Sequence, residues 1–268
     1  MTESVRQILV AACDDFERAR ERLGERGAEV VPELVEILRD EELFSVEGPG
    51  EGWAPIYAAK LLLALGDEAP VEPLLDRLLD EDESGLAEEI RLGLPRLGAR
   101  VLQPVLARAE AATEREQKTE LAYLLGTLAE EADARDPRGL SFLLNALPAI
   151  PDVAASGLAQ YGDPVAIPAL SEQLDRFRPE PGSGPLGGQT AIELAAAIED
   201  LGGELSAAQR LKLDTVVATR RAWFASLTAA TGDDRGPRPG RTEKPSSSSR
   251  KRRKTRRKMK KKSRRKNR

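Results

Sequence analysis

Across positions 1–230 the apolar residues recur with a helical period, in runs that open at prolines spaced 41, 31, 33 and 31 residues apart. The clearest run is Val71, Leu74, Leu75, Leu78 and Leu79, whose i, i+3, i+4, i+7, i+8 spacing puts all five side chains on one helical face. The same stripe is legible at Val31, Leu34, Val35 and Leu38, at Leu102, Val105, Leu106 and Ala109, and at Ile167, Leu170, Leu174 and Phe177. The prolines are Pro32, Pro73, Pro104, Pro137 and Pro168. In the first turn of a helix the missing N–H of proline is not needed and its fixed φ is already helical, so each is expected to open a helix. These are read as the second helices of five pairs.

Upstream of the stripes lie first helices that end in related turns: Leu65-Gly66-Asp67, Leu97-Gly98-Ala99, Tyr161-Gly162-Asp163 and, more loosely, Leu201-Gly202-Gly203. Glycine there accepts the left-handed conformation that stops a helix. The segment Ile56–Leu65 contains one charge, Lys60, so that helix needs cover on more than one side, which stacked repeats provide. At the N-terminus Val5, Ile8, Leu9 and Ala12, followed by Phe16 and Arg18 to Arg22, fit one amphipathic first helix. Leu205 to Leu227 reads as a longer closing helix, with Trp223 and Phe224 covering the open end of the stack.

Two insertions break the period, Glu47–Gly52 and Pro179–Gly188, both expected to be flexible turns. The second contains Gly182-Ser183-Gly184-Pro185-Leu186-Gly187. That is a literal GxGxxG, but without the strand and helix a dinucleotide site needs it reads as a loop. Val10-Ala11-Ala12-Cys13 superficially matches a lipoprotein signal. Its apolar run, Ile8 to Ala12, falls short of the ~7 to 15 residues of a signal core, so Cys13 is expected to be a small buried or half-buried hydrophobe.

The stretch from Trp53 through Ala58-Ala59-Lys60-Leu61-Leu62-Leu63-Ala64-Leu65-Gly66-Asp67 to Pro70-Val71-Glu72-Pro73-Leu74-Leu75 resembles the HEAT-like repeat of phycobilisome-lyase-type proteins and bacterial scaffolds. The resemblance extends over residues 28–205. It is weakest where Gly139 replaces the usual apolar residue and Glu130 to Asp136 lengthen a turn. It implies an all-α fold, an α-α superhelix or solenoid of about five helical hairpins, that binds macromolecules. The chain is therefore divided into a HEAT-like α-solenoid at 1–230, a flexible Pro/Gly/Ser linker at 231–249 and a disordered basic tail at 250–268.

Composition narrows the chemistry. With no histidine and one cysteine, the chain offers no Ser-His-Asp or Cys-His nucleophile pair, no His-ligated metal and no intrachain disulfide. Di-iron HEAT-like families rely on His-Glu pairs, which are missing, and HEAT-like glycosylases line a basic groove, which an acidic body contradicts. No catalytic residue, cofactor or metal site is expected; a lyase-like accessory factor rests on the repeat resemblance alone. The body's basic residues are Arg except for Lys60, Lys118 and Lys212, a bias of high-GC coding that points to a bacterial source. No apolar run approaches ~18 residues, so a cytoplasmic monomer without stable membrane association is expected.

The charges are strongly partitioned. Residues 236–268 hold 18 Lys/Arg and one acid, Glu243, a net charge of +17 that offsets −21 on positions 1–235 to give −4 overall. The tail's basic residues are Arg250, Lys251, Arg252, Arg253, Lys254, Arg256, Arg257, Lys258, Lys260, Lys261, Lys262, Arg264, Arg265, Lys266 and Arg268. Charge this dense favours sequence-blind nucleic-acid binding through counterion release, and with no aromatic among them no base-stacking platform is expected. A solvated tail without a dedicated partner is the alternative. A further expectation is that the tail folds back onto acids such as Asp40-Glu41-Glu42 or Asp80-Glu81-Asp82-Glu83, which otherwise read as solvated turns. Taken together, the sequence predicts a non-catalytic scaffold whose concave face, built by the proline-started helices, binds an unidentified protein. Glu72, Asp76 and Arg77 are the candidate contacts. The runner-up is a nucleic-acid-binding protein that acts mainly through its tail.

Overall fold

A computed structural model describes residues 3–12, 16–66, 69–80, 85–178 and 188–230. Cys13, the acids 81–83, the glycine motif 182–187 and the basic residues from Arg250 to Arg268 lie outside the described residues, as do the expectations attached to them. Every regular element described is helical: α1 (Val5–Ala11), α2 (Phe16–Gly24), α3 (Val31–Arg39), α4 (Ala54–Ala64), α5 (Val71–Asp80), α6 (Gly85–Gly93), α7 (Leu102–Ala111), α8 (Arg115–Glu131), α9 (Pro137–Ala146), α10 (Pro151–Tyr161), α11 (Ile167–Arg176), α12 (Gln189–Asp200) and α13 (Ala207–Ala230). The chain divides into two units, Met1–Trp223 and Phe224–Arg268. The description that follows is of the first; in the second, Phe224 is 48 % exposed.

All five prolines sit in the first turn of a helix, at the second residue of α3, the third of α5 and α7, the first of α9 and the second of α11. Where a side-chain acceptor is also present the start is sharper. Asp136 caps α9 by accepting from the Arg138 N–H at 2.9 Å, and Ser4 and Gln7 form a reciprocal capping box on α1. The expected glycine stops are left-handed at Gly66 (φ 59°), Gly98 (φ 74°), Gly162 (φ 75°) and Gly202 (φ 82°). Gly98 does not end α6 directly. With Pro95 just beyond it, α6 gives way at Gly93 to a tighter 3₁₀ segment, Leu94–Val101, that carries the turn.

The helices pack in two series. One runs α4 to α6, then through Leu94–Val101 to α8, and on to α10 and α12; the other runs α3, α5, α7, α9. Each proline-started helix also lies against the first helix of the next pair: α3 on α4, α5 on α6, α7 on α8, α9 on α10 and α11 on α12. The need for cover read from Ile56–Leu65 is met: Ala54, Tyr57, Ala58, Ala59, Leu61 and Leu62 are all buried between α1, α2, α3 and α6. Phe16 of α2 stacks on Tyr57 at 4.5 Å, and Trp53 stacks on the same ring at 5.7 Å. The core is divided into an N-terminal and a C-terminal cluster that share α8, whose Leu121, Leu124, Leu125 and Leu128 serve one and Ala122 and Ala129 the other; Phe142 packs against both.

Three expectations are corrected. The N-terminal amphipathic run is two helices, α1 and α2, both packed on α4; α1 also lies on α3 and on the turn before α4, and α2 on the segment before α3. Glu47–Gly52 is not loose. Its 3₁₀ turn Pro49–Gly52 lies on α1, where a Cβ on Gly50 would come within 3.3 Å of the Val10 Cα. The added residues after Glu130 do lengthen a turn, as expected: α8 ends at Glu131 and residues 132–136 are non-helical before α9. Among the described side chains of α13 the buried positions are Gln209 and Val216, and Trp223 is only half-buried, because the helix is anchored through its first half. There Gln209 Nε2 donates to Ser171 O at 3.3 Å, and Lys212 Nζ donates to the carbonyls of Leu174 and Asp175 at 2.7 and 2.8 Å, capping the end of α11.

Gly139, read from sequence as a defect, has a packing role. A Cβ there would meet the Tyr161 Oη at 2.8 Å, and that hydroxyl accepts from Asp136 N at 2.6 Å and donates to Asp136 O at 2.5 Å. Gly126 and Gly157 similarly let α8 and α10 approach, since a Cβ on Gly126 would stand 2.8 Å from the Gly157 Cα. Gly24, by contrast, has open space around it. Substituting alanine at each separates propensity from packing. Gly24→Ala should raise stability by about 0.4–1 kcal/mol. Gly126→Ala should lower it by about 1–2 kcal/mol, because a backbone atom cannot yield as a side chain can. Urea midpoints of the two variants against the parent chain measure both.

Candidate functional site

The three candidate contacts on α5 are engaged within the chain. Arg77 lies 4.3 Å over the Phe44 ring and 3.1 Å from Glu41, and its side chain is 13 % exposed. Phe44 and Glu41 belong to the 3₁₀ turn after α3, so Arg77 reaches back to the preceding repeat. Glu72 and Asp76 receive the guanidinium of Arg108 on α7 at 2.8 and 2.5 Å. Arg138 on α9 repeats the gesture toward α7, donating to Gln103 at 2.7 Å and lying 3.5 Å from Glu110. Arginines thus reach back from each of three successive helices in the proline-started series. Hydrogen bonding to Glu72 raises the Arg108 pKa, and that to Asp136 raises the Arg138 pKa.

Of the acids expected to receive the tail, Asp40 is 2.5 Å from Arg6 and Glu41 is paired with Arg77. Two of the acid-cluster positions are therefore already held by cations of the same unit.

The first-helix series is linked in the same manner at its N-terminal end. Lys60 of α4 is 3.1 Å from Glu89 of α6, and Arg91 of α6 makes two bonds of 2.6 Å to Glu120 of α8, which raise its pKa. Between α8 and α10 the link becomes neutral, with Gln160 Nε2 donating to Glu130 at 2.7 Å. On α12, Gln189 donates to Glu193 and accepts from Arg220 of α13 at 3.0 Å. Two adjoining depressions of about 280 and 320 Å³ lie along α10 between α8 and α12, and both are lined by Ser156, Gln160 and Glu193. Their floor is small or apolar, with Val153, Gly157, Ala159 and Ala197. Their rim carries Asp152, Glu193, Glu130 and Asp200 and no Lys or Arg.

The sequence carries this change as two stretches without Lys or Arg, from 139 to 175 and from 179 to 209. A larger groove of about 520 Å³ lies between α7 and α9, with Ala109, Phe142 and Ala146 apolar and Lys118, Glu110 and Arg138 of mixed sign. Among the described residues no three His, Cys, Asp or Glu side chains are placed to hold a metal ion, and no helix is long and apolar enough to cross a membrane.

Two predictions follow from these contacts. Arg77→Ala loses a cation–π contact and a packed stem, about 1–2 kcal/mol. Glu72→Ala or Asp76→Ala loses only a half-exposed pair, about 0.5 kcal/mol or less; thermal melts of the three variants rank them. Asp136, bonded by the Arg138 guanidinium and N–H, has its pKa lowered to about 2. Its folded-state pKa lies below the ordinary value of about 3.9. Its contribution is therefore complete above pH ~4 and lost as pH falls through ~2. The melting temperature of the parent chain should exceed that of Asp136→Asn at pH 5 and converge with it at pH 1.5.

No known protein family, curated protein or solved structure matches the chain.

Proposed function

We propose that the protein is a non-catalytic, HEAT-like α-solenoid adaptor: its helical body binds a protein and its basic tail holds the assembly on nucleic acid without sequence preference. The observation that carries this reading is the partition of charge, −21 on residues 1–235 against +17 on residues 236–268. A body so acidic repels phosphate, and a segment with 15 Lys or Arg in 19 residues attracts it, so the two ends of the chain suit different partners. The two series of helices, each lying on the next, and the arginines that reach back between repeats support the solenoid part of the reading.

Binding of the full chain to duplex DNA and to RNA should weaken with salt with a log–log slope of roughly −6 to −9, as expected for about 8 to 10 phosphates engaged. Deleting residues 236–268 should abolish that binding and leave the melting temperature within about 2 °C. Equal affinity with and without the tail sinks the tethering half. Nuclease-treated co-purification tests the other half: proteins retained after nucleic acid is removed support the adaptor, whereas loss of every partner with the nucleic acid supports a protein that acts through its tail alone.

A further inference from the structure

The three lysines of the body, Lys60, Lys118 and Lys212, are used differently. Lys60 pairs with Glu89 across the α4–α6 step, and Lys212 donates to the carbonyls that end α11. Lys118 of α8 is half-buried and has neither an ion pair nor a side-chain hydrogen bond among the described residues. Every other half-buried Lys or Arg described in Met1–Trp223 has an acceptor, and the cations that lack one, such as Arg39 and Arg96, are exposed. Lys118 lines the groove of about 520 Å³ between α7 and α9, a size within the ~300–1,000 Å³ of ligand-binding clefts. The groove is apolar where it is deep: Leu106, Ala109 and Ala146 are buried and Phe142 is half-buried, while Arg138, Ser141 and Asn145 follow one another at helical spacing along the rim of α9. The other two charges of the groove answer each other. Glu110 is 3.5 Å from Arg138, which Asp136 and Gln103 also hold. Lys118 is the charge left over, near the N-terminus of α8, where the helix dipole disfavours a cation and favours an anion. Partial burial of an ammonium without a counter-ion raises the energy of the bare chain, and an arriving anion relieves it.

We infer that this groove is the protein-binding surface of the adaptor and that it takes an apolar segment of a partner protein carrying one carboxylate, which pairs with Lys118. The inference rests on the adaptor reading and gives it a location, on the proline-started series but beyond the α5 residues Glu72, Asp76 and Arg77. The two kinds of surface in the groove select the occupant. From Pro137 to Ala146 the groove follows α9 for about 14 Å, the length of about four extended residues. Apolar side chains in that stretch cover Leu106, Phe142 and Ala146, and a single carboxylate meets the single unanswered cation. A strongly acidic segment or a nucleic acid is repelled by the −21 on residues 1–235. The chain's own basic stretch has the wrong sign and the wrong composition, since residues 250–268 contain 15 Lys or Arg, no acid and one apolar residue, Met259.

The test uses the full chain and three rhodamine-labelled peptides, Gly-Ser-Gly-Leu-Leu, Gly-Ser-Gly-Phe-Leu and Gly-Ser-Gly-Val-Leu, each made with a free C-terminal carboxylate and as the amide, followed by anisotropy at low salt. At least one free acid should bind, and its amide should bind about fivefold more weakly, the loss of one partly desolvated pair. Lys118→Met keeps an apolar stem without the charge; it should weaken the free acid about fivefold and leave the amide within about twofold. Arg96→Gln, the same change in net charge at an exposed position outside the groove, should leave both within about twofold. Ser141→Phe, which fills the groove from the rim of α9, should weaken acid and amide alike by about tenfold and retain the parent's circular dichroism. Saturable binding of no free acid up to about 1 mM overturns the inference. Equal losses in Lys118→Met and Arg96→Gln also overturn it, by assigning binding to overall charge, as does an acid–amide difference that survives Lys118→Met, which belongs to the basic tail. A parent that self-associates in sedimentation and is made monomeric by Ser141→Phe overturns it as well, because a second copy then covers the groove. The adaptor reading has its own readout: proteins retained equally by the parent and by Ser141→Phe in nuclease-treated co-purification keep the adaptor and remove this groove from it, whereas a parent that retains none ends the adaptor reading itself.

Discussion

The structure depends on one constraint: a helix apolar on nearly all sides cannot be covered by a single partner. α4 illustrates it, with one charge between Ile56 and Leu65 and buried residues facing α1, α2, α3 and α6. A helix of this kind is stable only inside a stack, so the pair that contains it acquires its stability from the pairs on either side. The same constraint explains why α3 lies on α4, α5 on α6, α7 on α8, α9 on α10 and α11 on α12, interlocking successive helices instead of leaving them as separate pairs. Where two apolar helices must come closest, α8 on α10, the chain supplies glycine on both, and the series closes without a gap.

Polar contacts between repeats are arranged on this apolar frame and act mainly on register. Most are half exposed, as at Arg108 with Glu72 and Asp76, and contribute little stability each. Their partners, however, are fixed. Arg100 donates to the carbonyls of Gly66 and Ala69, Arg135 to that of Tyr161, and Lys212 to those at the end of α11. In each case a cation from another segment is held by carbonyls at or just beyond the end of a helix, where the backbone lacks partners and the helix dipole favours positive charge. A slip of one residue between repeats would break several of these bonds together. Tyr161 adds a neutral version, closing both polar groups of Asp136 from the next-to-last turn of the stack.

Much of this frame was legible in the sequence because it is written in periods: the stripe Val71 to Leu79, the five first-turn prolines and the left-handed glycines all fall where a 3.6-residue repeat and its stop signals put them. What was not legible depends on contacts between distant positions. Gly139 looked like a lost apolar contact because the ring of Tyr161 that fills its place lies 22 residues away. Glu72, Asp76 and Arg77 looked available because periodicity assigns them to the polar face, and periodicity has no term for Phe44 or Arg108 one repeat away. The N-terminal run looked like one helix because α1 and α2 share an apolar pattern and both cover α4.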